Sequence, residues 1–350
     1  MPKSILKRLK NEQTPLLDGN IATFVWQGEH VPKLMGDFTG WEARDSIVMK
    51  KYGPGIWTCQ LTLPLDAYIE YGFFSDQGSY TDPNNSRQTP NGMGATNNYF
   101  FMPDYKPTNL VKKNYKIPHG IVTSYYAKTD YLITGKHRII HLYHPPVTEP
   151  VPLVVIWDGQ DYYHRAHLND IVDNLIAQAR IRPIALAFVN NGGPKSRHIE
   201  YSCNDANLGF LRTEVLPIAT KNLNLIDINA YPGAYGVAGA SMGGLMALYT
   251  GTRIPLVFGN VFSQSGAFSW SGMDMVVYDL LKHGEMHRLK IWMDVGIFDI
   301  PGLLDSNRRM LNILNQRGYQ VIYREYNAGH NYTAWRDDIG RGLESLYGIE

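Results

Sequence analysis

A serine hydroxyl becomes a nucleophile only when its backbone exposes it and a base can take its proton, and Ser241 has a sequence context suited to both. Gly239-Ala240-Ser241-Met242-Gly243, followed by Gly244, fits the G-x-S-x-G pattern of a nucleophile elbow. The apolar run 234–238 reads as a strand entering the turn, and 245–250 reads as a helix leaving it. A serine on so sharp a turn projects Oγ clear of the chain. Glycines two residues to either side spare the neighbouring strand and helix a collision, and the helix N-terminus offers N–H groups to a developing oxyanion.

In this kind of triad the acid and then the base follow the serine along the chain. Three histidines come after Ser241: His283, His287 and His330. The first two lie four apart in a polar, helix-like segment and read as surface residues. His330 closes Tyr326-Asn327-Ala328-Gly329-His330, directly after the strand-like run 321–326. A loop at a strand end is where such sites are built, so His330 is the expected base. The strand-like run 290–295 leads into Gly296-Ile297-Phe298-Asp299, which makes Asp299 the preferred acid. Asp294, within that strand, and Asp305, at the start of the next helix, remain alternatives. The backbone N–H of Met242 is one expected oxyanion donor. The N–H of Gln160, in Asp158-Gly159-Gln160-Asp161 after the run 152–157, is the other, to within one residue.

The elements that must hold these groups follow two grammars. From residue 120 onward, apolar runs at 138–143, 152–157, 184–189, 234–238, 258–262, 290–295 and 321–326 alternate with helix-like segments. Leu168, Ile171, Val172, Leu175, Ile176 and Ala179 fall on one helical face. Leu304, Met310, Leu311 and Leu314 do the same before Gly318. This alternation predicts an α/β domain over 120–350 with a mostly parallel, doubly wound sheet. Residues 20–102 read instead as short strands at 21–26, 33–35, 57–63 and 67–74, broken by Gly53-Pro54-Gly55 and Asp82-Pro83-Asn84. That pattern predicts a small all-β sandwich, preceded by an N-terminal extension over 1–19. The polar, proline-bearing stretch 103–119 reads as a linker.

Composition narrows the function classes. Lys and Arg number 33 against 32 Asp and Glu, so no bulk charge favours nucleic acid or an anionic membrane. No run of about 18 apolar residues suggests a membrane span. No apolar stretch follows the charged N-terminus, as a secretory leader requires. Two cysteines, one in each half, fit a reducing compartment better than a disulfide framework, and a cytoplasmic protein is expected. His164 and His167 have no third ligand nearby in sequence, which argues against zinc. Trp41 and Trp57 could stack on sugars, but core packing accounts for a tryptophan in a small sandwich.

Residues 120–348 resemble the enterochelin (enterobactin) esterase family, within the wider group of esterase-D-like and feruloyl-esterase-like hydrolases. The matching stretches are Val155-Ile156-Trp157-Asp158-Gly159-Gln160, Arg197-His198-Ile199-Glu200-Tyr201 and the elbow at 239–244. They continue through Asp294-Val295-Gly296 to Asp299 and end with Gly329-His330 and Trp335-Arg336, all in family order. The first half is similar to the immunoglobulin-like module that precedes glycogen-branching enzymes, through Gly36-Asp37-Phe38-Thr39-Gly40-Trp41, Gly55-Ile56-Trp57 and Asp82-Pro83-Asn84.

The resemblance implies an α/β-hydrolase domain behind an immunoglobulin-like sandwich. It implies cleavage of a small-molecule ester through an acyl-enzyme on Ser241, with no metal or organic cofactor. A siderophore trilactone is the leading substrate; a feruloyl or acetyl carbohydrate ester, or acyl transfer, is the alternative. A glycan-binding protein with an inert hydrolase fold is the reading from another class. The acidic iron complex of a catecholate would favour basic groups near the pocket, and Arg197, His198 and Trp335 are the substrate-binding candidates, although an Arg197–Glu200 salt bridge is an equal reading. Oligomeric state is left open.

Overall fold

Strands that are apolar on both faces belong in sheets covered on both sides. The computed structural model describes residues 2–76, 78–92 and 94–349, with side chains from residue 5 onward. In it the apolar runs of the second half form an eight-stranded sheet. Its strands are β1 (Ile121–Lys128), β2 (His137–His144), β3 (Leu153–Trp157), β4 (Ala185–Val189), β5 (Tyr235–Ala240), β6 (Phe258–Gln264), β7 (Lys290–Gly296) and β8 (Gln320–Tyr326). Their order across the sheet is β1-β2-β4-β3-β5-β6-β7-β8. The pairs β4–β3, β3–β5, β5–β6 and β6–β7 are parallel, whereas β1 and β2 form an antiparallel margin. Every residue of β3, β4, β5 and β6 is buried.

The helices that matter to the site are α1 (Gly159–His164), α2 (Leu168–Ala177), α3 (Pro194–Tyr201), α4 (Met242–Arg253), α5 (Leu303–Gln316) and α6 (Tyr332–Tyr347). Most of the predicted apolar stripes are buried, Leu168, Ile171, Val172 and Leu175 in α2 and Met310 and Leu314 in α5; Ile176, Leu304 and Leu311 are half-buried, and Ala179 falls beyond the end of α2 and is exposed. Among the described residues no helix is long and apolar enough to cross a membrane.

The N-terminal region is all-β, built from two antiparallel sheets. Leu16–Asp18, Ile21–Gln27, Ile56–Thr62 and Lys50–Gly53 form one. Ile47–Val48, Lys33–Gly36, Tyr68–Ser75, Thr96–Phe101 and Gln88–Pro90 form the other, with Gly78–Tyr80 hairpinned onto Tyr68–Ser75. Phe24, Leu34, Ile69, Tyr71, Phe73 and Phe100 make the core. Phe24 meets Tyr71 edge-on at 4.9 Å, and Tyr71 meets Phe100 at 5.8 Å. Trp57 packs half-buried against this core with its indole N–H on Gly28 O, whereas Trp41 is half-buried outside it with its indole N–H on Asp37 Oδ1.

Contacts do not follow the linear division expected from sequence. They group residues 1–107 with 296–301 and 325–334, and 108–295 with 302–324 and 335–350. Leu16–Asp18, placed in an extension from sequence, is a sheet strand. Part of the expected linker is anchored rather than free: Asn174 in α2 donates to Leu110 O and Lys112 O. His119 Nδ1 lies 2.9 Å from Asp173 Oδ2, and the Gly120 N–H and Tyr143 hydroxyl donate to Asp173 Oδ1. Turn-forming composition hides such anchoring, because the partners lie 53 to 64 positions away. Asp173 is buried and serves three donors, so Asp173→Ala should cost about 2–4 kcal/mol by leaving them unmatched. Denaturant unfolding of the variant beside wild type measures this loss; a change within about 0.5 kcal/mol would contradict the account.

Candidate active site

The turn between β5 and α4 has the backbone that the glycine pattern demands. Ser241 sits at φ 59°, ψ −122°, a region closed to most side chains unless neighbours enforce it. Its N–H donates to Gln264 O at 2.8 Å, and its carbonyl accepts from the Ala267 N–H at 3.0 Å. Gly239 is a steric requirement: a Cβ there would lie 2.4 Å from Gly243 O. Met242, the first residue of α4, is buried with its amide at the helix N-terminus.

The loop after β3 is tied to this elbow by charge. Asp158, at φ 56° and buried, caps the start of α1 and accepts the Asp161 and Tyr162 N–H groups through its carbonyl. Its carboxylate takes a two-pronged bond from Arg197 in α3, Nε to Oδ1 at 2.7 Å and Nη2 to Oδ2 at 2.6 Å, and a third from Asn191 Nδ2 at 2.6 Å. Arg197 Nη2 also donates to Ala240 O at 3.2 Å, the carbonyl just before the serine. One guanidinium therefore fixes both the loop that begins α1, with Gln160 in its first turn, and the strand end that presents Ser241. The charge of Arg197 is thus engaged by Asp158, which corrects the alternative reading of an Arg197–Glu200 salt bridge. Glu200 pairs instead with Arg138 at 2.8 Å. His198 is exposed and meets Trp270 edge-on at 6.0 Å. Trp335, also expected to contact substrate, is buried, and its indole N–H donates to Ser265 Oγ at 2.9 Å.

Beneath the elbow, Gln264 accepts from the Tyr162 hydroxyl at 2.9 Å and donates to Asp294 Oδ2 at 2.9 Å and to Trp335 O at 3.1 Å. Asp294 also accepts from Trp292 Nε1 at 2.8 Å. Burial, then the charge of Asp338, pushes the Asp294 carboxyl well above the usual carboxylate range. This places Asp294 in core structure, as its position within a strand suggested.

The loops after β7 and β8 pack in the other contact group and bring two of the expected residues together. His330 Nδ1 lies 2.7 Å from Asp299 Oδ1, with the Asp299 side chain buried and the imidazole 19% exposed. Asp299 Oδ1 also accepts the Ile300 N–H at 2.8 Å, which helps fix the carboxylate. Asp305, the other alternative, lies in the first turn of α5. Near the pair, Asp37 is buried; its Oδ2 accepts the Glu70 N–H at 2.8 Å and its Oδ1 the Trp41 indole at 2.9 Å. Burial, then Glu70 and Asp299, pushes its carboxyl well above the usual range. From sequence Asp37 stood out only within residues 36–41, the stretch similar to the branching-enzyme module. One described group, His119 with Asp170 and Asp173, could hold a metal ion. His119 already uses Nδ1 on Asp173 and Nε2 on Asn114 O, so the cluster acts as a clamp on the preceding chain.

With this geometry in hand, a family model described as "Putative esterase" matches residues 133–346. The chain belongs to this family. The iron(III) enterobactin esterase of Escherichia coli K12 is 27% identical over 205 residues, 57% of this chain and 50% of that protein. The chain thus spans about half the length of the curated relative it matches. The ferric enterobactin esterase of Salmonella typhimurium superposes with a TM-score of 0.78 at 22% identity, covering 96% of this chain and 95% of that one. A ferulic acid esterase from Anaeromyces mucronatus superposes at 0.55 and 15% identity, over 69% of this chain and 96% of that one. These likenesses establish the α/β-hydrolase fold.

The raised carboxyl of Asp294 has a consequence for stability. In the unfolded chain it ionises near pH 4, whereas in the folded protein it holds its proton higher. Its contribution is complete below about pH 4 and is lost as pH rises through the folded value. Asp294→Asn cannot ionise, so its stability relative to wild type should improve from about pH 4 to about pH 8 in urea unfolding. A gap that moves the other way would show Asp294 folded as a carboxylate.

Proposed function

We propose that the chain is a carboxylic ester hydrolase working through an acyl-enzyme on Ser241, with His330 as base and Asp299 as the orienting acid. The observation that carries the reading is the 2.7 Å contact between His330 Nδ1 and Asp299 Oδ1. It commits the imidazole to a tautomer with its proton on Nδ1, leaving Nε2 to accept one. The strained turn at Ser241 supplies the matching nucleophile, and membership of the esterase family supports the reaction class.

In this mechanism Ser241 Oγ attacks the ester carbonyl carbon while His330 Nε2 takes the hydroxyl proton. The carbonyl oxygen becomes an oxyanion, stabilised by the backbone N–H groups of Gln160 and Met242. Collapse of the tetrahedral intermediate breaks the bond to the alcohol oxygen, which leaves with the proton from His330. Water then attacks the acyl-enzyme by the same route, its proton passing to His330 and on to Ser241 as the acid departs. Asp299 stabilises the imidazolium.

For substrate we propose an ester that carries an aromatic acyl or acylamino group. Enterobactin esterases lead the curated relatives and a ferulic acid esterase shares the fold. A trilactone siderophore of the enterobactin type is the first candidate and a feruloyl ester the second. The two unbridged thiols, Cys59 and Cys203, support a reducing compartment.

Hydrolysis of p-nitrophenyl butyrate and of enterobactin by wild type, Ser241→Ala and Asp299→Asn tests the assignment. Ser241→Ala should lose about 10⁴–10⁶-fold in kcat and Asp299→Asn about 10⁴-fold, with both still folded. Turnover by Ser241→Ala at the wild-type rate would remove the serine mechanism.

A further inference from the structure

The outer sheet of a two-layer sandwich ordinarily turns one face to water, yet Tyr68–Ser75 is buried at six successive residues, 68–73. Ile69, Tyr71 and Phe73 point into the sandwich core. Tyr68 and Glu70 point the other way; the Tyr68 ring packs among Tyr99, Phe101 and Tyr105, and residues 325–334 also reach Tyr68. The Tyr68 N–H donates to Asn327 O at 3.0 Å, and the Tyr68 hydroxyl is bonded to the Thr333 side chain. Asn327 Nδ2 reaches Asp66 Oδ1 at 2.6 Å. Gly329 lies directly on Asp37: a Cβ at 329 would be 2.1 Å from Asp37 Cγ and 2.2 Å from Oδ1. The acid's loop is held in the same way. Phe298, next to Asp299, packs against the sandwich core, and its N–H donates to Ala328 O at 3.1 Å, joining the two loops.

We infer that the β-sandwich is the positioning scaffold for the His330–Asp299 pair, with Asp37 and Phe298 as positioning residues. Asp37 and the Tyr68–Ser75 strand fix the backbone at 327–329, and Phe298 anchors the backbone at 298, one residue from each functional side chain. An independent carbohydrate-binding module would not need its sheet face committed to these loops. The inference rests on the mechanism proposed above for its catalytic consequence, but the positioning itself can be read without turnover.

The contact between Gly329 and Asp37 gives a rescue experiment in the full-length chain. Gly329→Ala, Asp37→Ala, the double variant, Phe298→Ala and Ser241→Ala are compared with wild type. The readouts are kcat and KM on p-nitrophenyl butyrate and the downfield proton resonance of the His330 Nδ1–H, with thermal unfolding as the folding control. Gly329→Ala should lower kcat about 100-fold, as expected for a displacement on the order of 1 Å, with KM within about two-fold, and should broaden or shift the resonance. The double variant, which opens the space the new methyl needs, should recover at least about 10-fold of the kcat and restore the resonance. Phe298→Ala should repeat the loss without touching Asp37, which covers the case in which Asp37→Ala does not fold.

An unchanged His330 resonance in Gly329→Ala and Phe298→Ala overturns the inference. So does a folded double variant no better than Gly329→Ala, which would place the effect in the glycine's own backbone. Full turnover by Ser241→Ala would sink the serine mechanism, while the resonance would still decide the positioning.

Discussion

The constraint on which the turn between β5 and α4 depends is the backbone of Ser241. A non-glycine residue at φ 59°, ψ −122° costs roughly 1–3 kcal/mol and persists only where its surroundings over-determine it. Four features do so here. The Gln264 carbonyl takes its N–H, the Ala267 N–H takes its carbonyl, Arg197 holds the preceding carbonyl, and Gly239 lets Gly243 close to contact. Gln264 contributes twice, since its side chain also binds the Tyr162 hydroxyl in α1, the helix whose first turn holds Gln160. Ser241 and the proposed oxyanion loop are thus referred to one buried residue. A shift in either would strand polar groups that have no water to turn to.

Four buried carboxyl groups show how environment assigns roles to one chemical group. Asp158 meets a guanidinium and an amide and serves as a charged bracket between loops. Asp294 meets an indole and a carboxamide, neither charged, with Asp338 near enough to oppose its ionisation, and it remains in the core. Asp37 is bonded by one backbone amide and one indole and lies near two other carboxylates, so it too is driven toward the neutral form. Asp299 is the one whose carboxylate meets an imidazole that keeps some exposure to solvent. A chain-order argument alone left Asp294 and Asp305 open; Asp299 is bonded to His330, whereas Asp294 is bonded to Trp292 and Gln264.

Sequence carried far on the elements whose signal is local. Strands β3 to β6 are buried along their whole length, so their apolar runs stood out, and the elbow between β5 and α4 is a five-residue pattern. Strand β1 escaped notice because it is an edge strand with one buried residue in eight, at Ala127, and leaves no apolar run to find. Arg197 was misread for a different reason. Its partner, Asp158, is 39 positions away, whereas Glu200 three residues on offered a nearer charge. Trp335 looked like a site residue because of its place in a motif, but its indole closes a bond to Ser265 across 70 positions. Periodicity reports how much of a residue is covered and says little about what covers it.

That distinction matters most at residues 68–73. Their six buried positions break the alternation expected of a sandwich strand; at Tyr68 the cover comes partly from Tyr99, Phe101 and Tyr105 and partly from more than 250 residues downstream, at Asn327 and Thr333. Short loops with little core of their own take their order from what they are packed against. The loops carrying Asp299 and His330 pack one large apolar side chain, Phe298, against the sandwich core and accept a backbone bond from its sheet, Tyr68 N–H to Asn327 O. Their covalent attachment is to β7 and β8, but much of the burial that fixes them comes from the first hundred residues. A β-sandwich in this chain is therefore better understood as part of what holds an imidazole and a carboxylate 2.7 Å apart than as an appendage to the sheet.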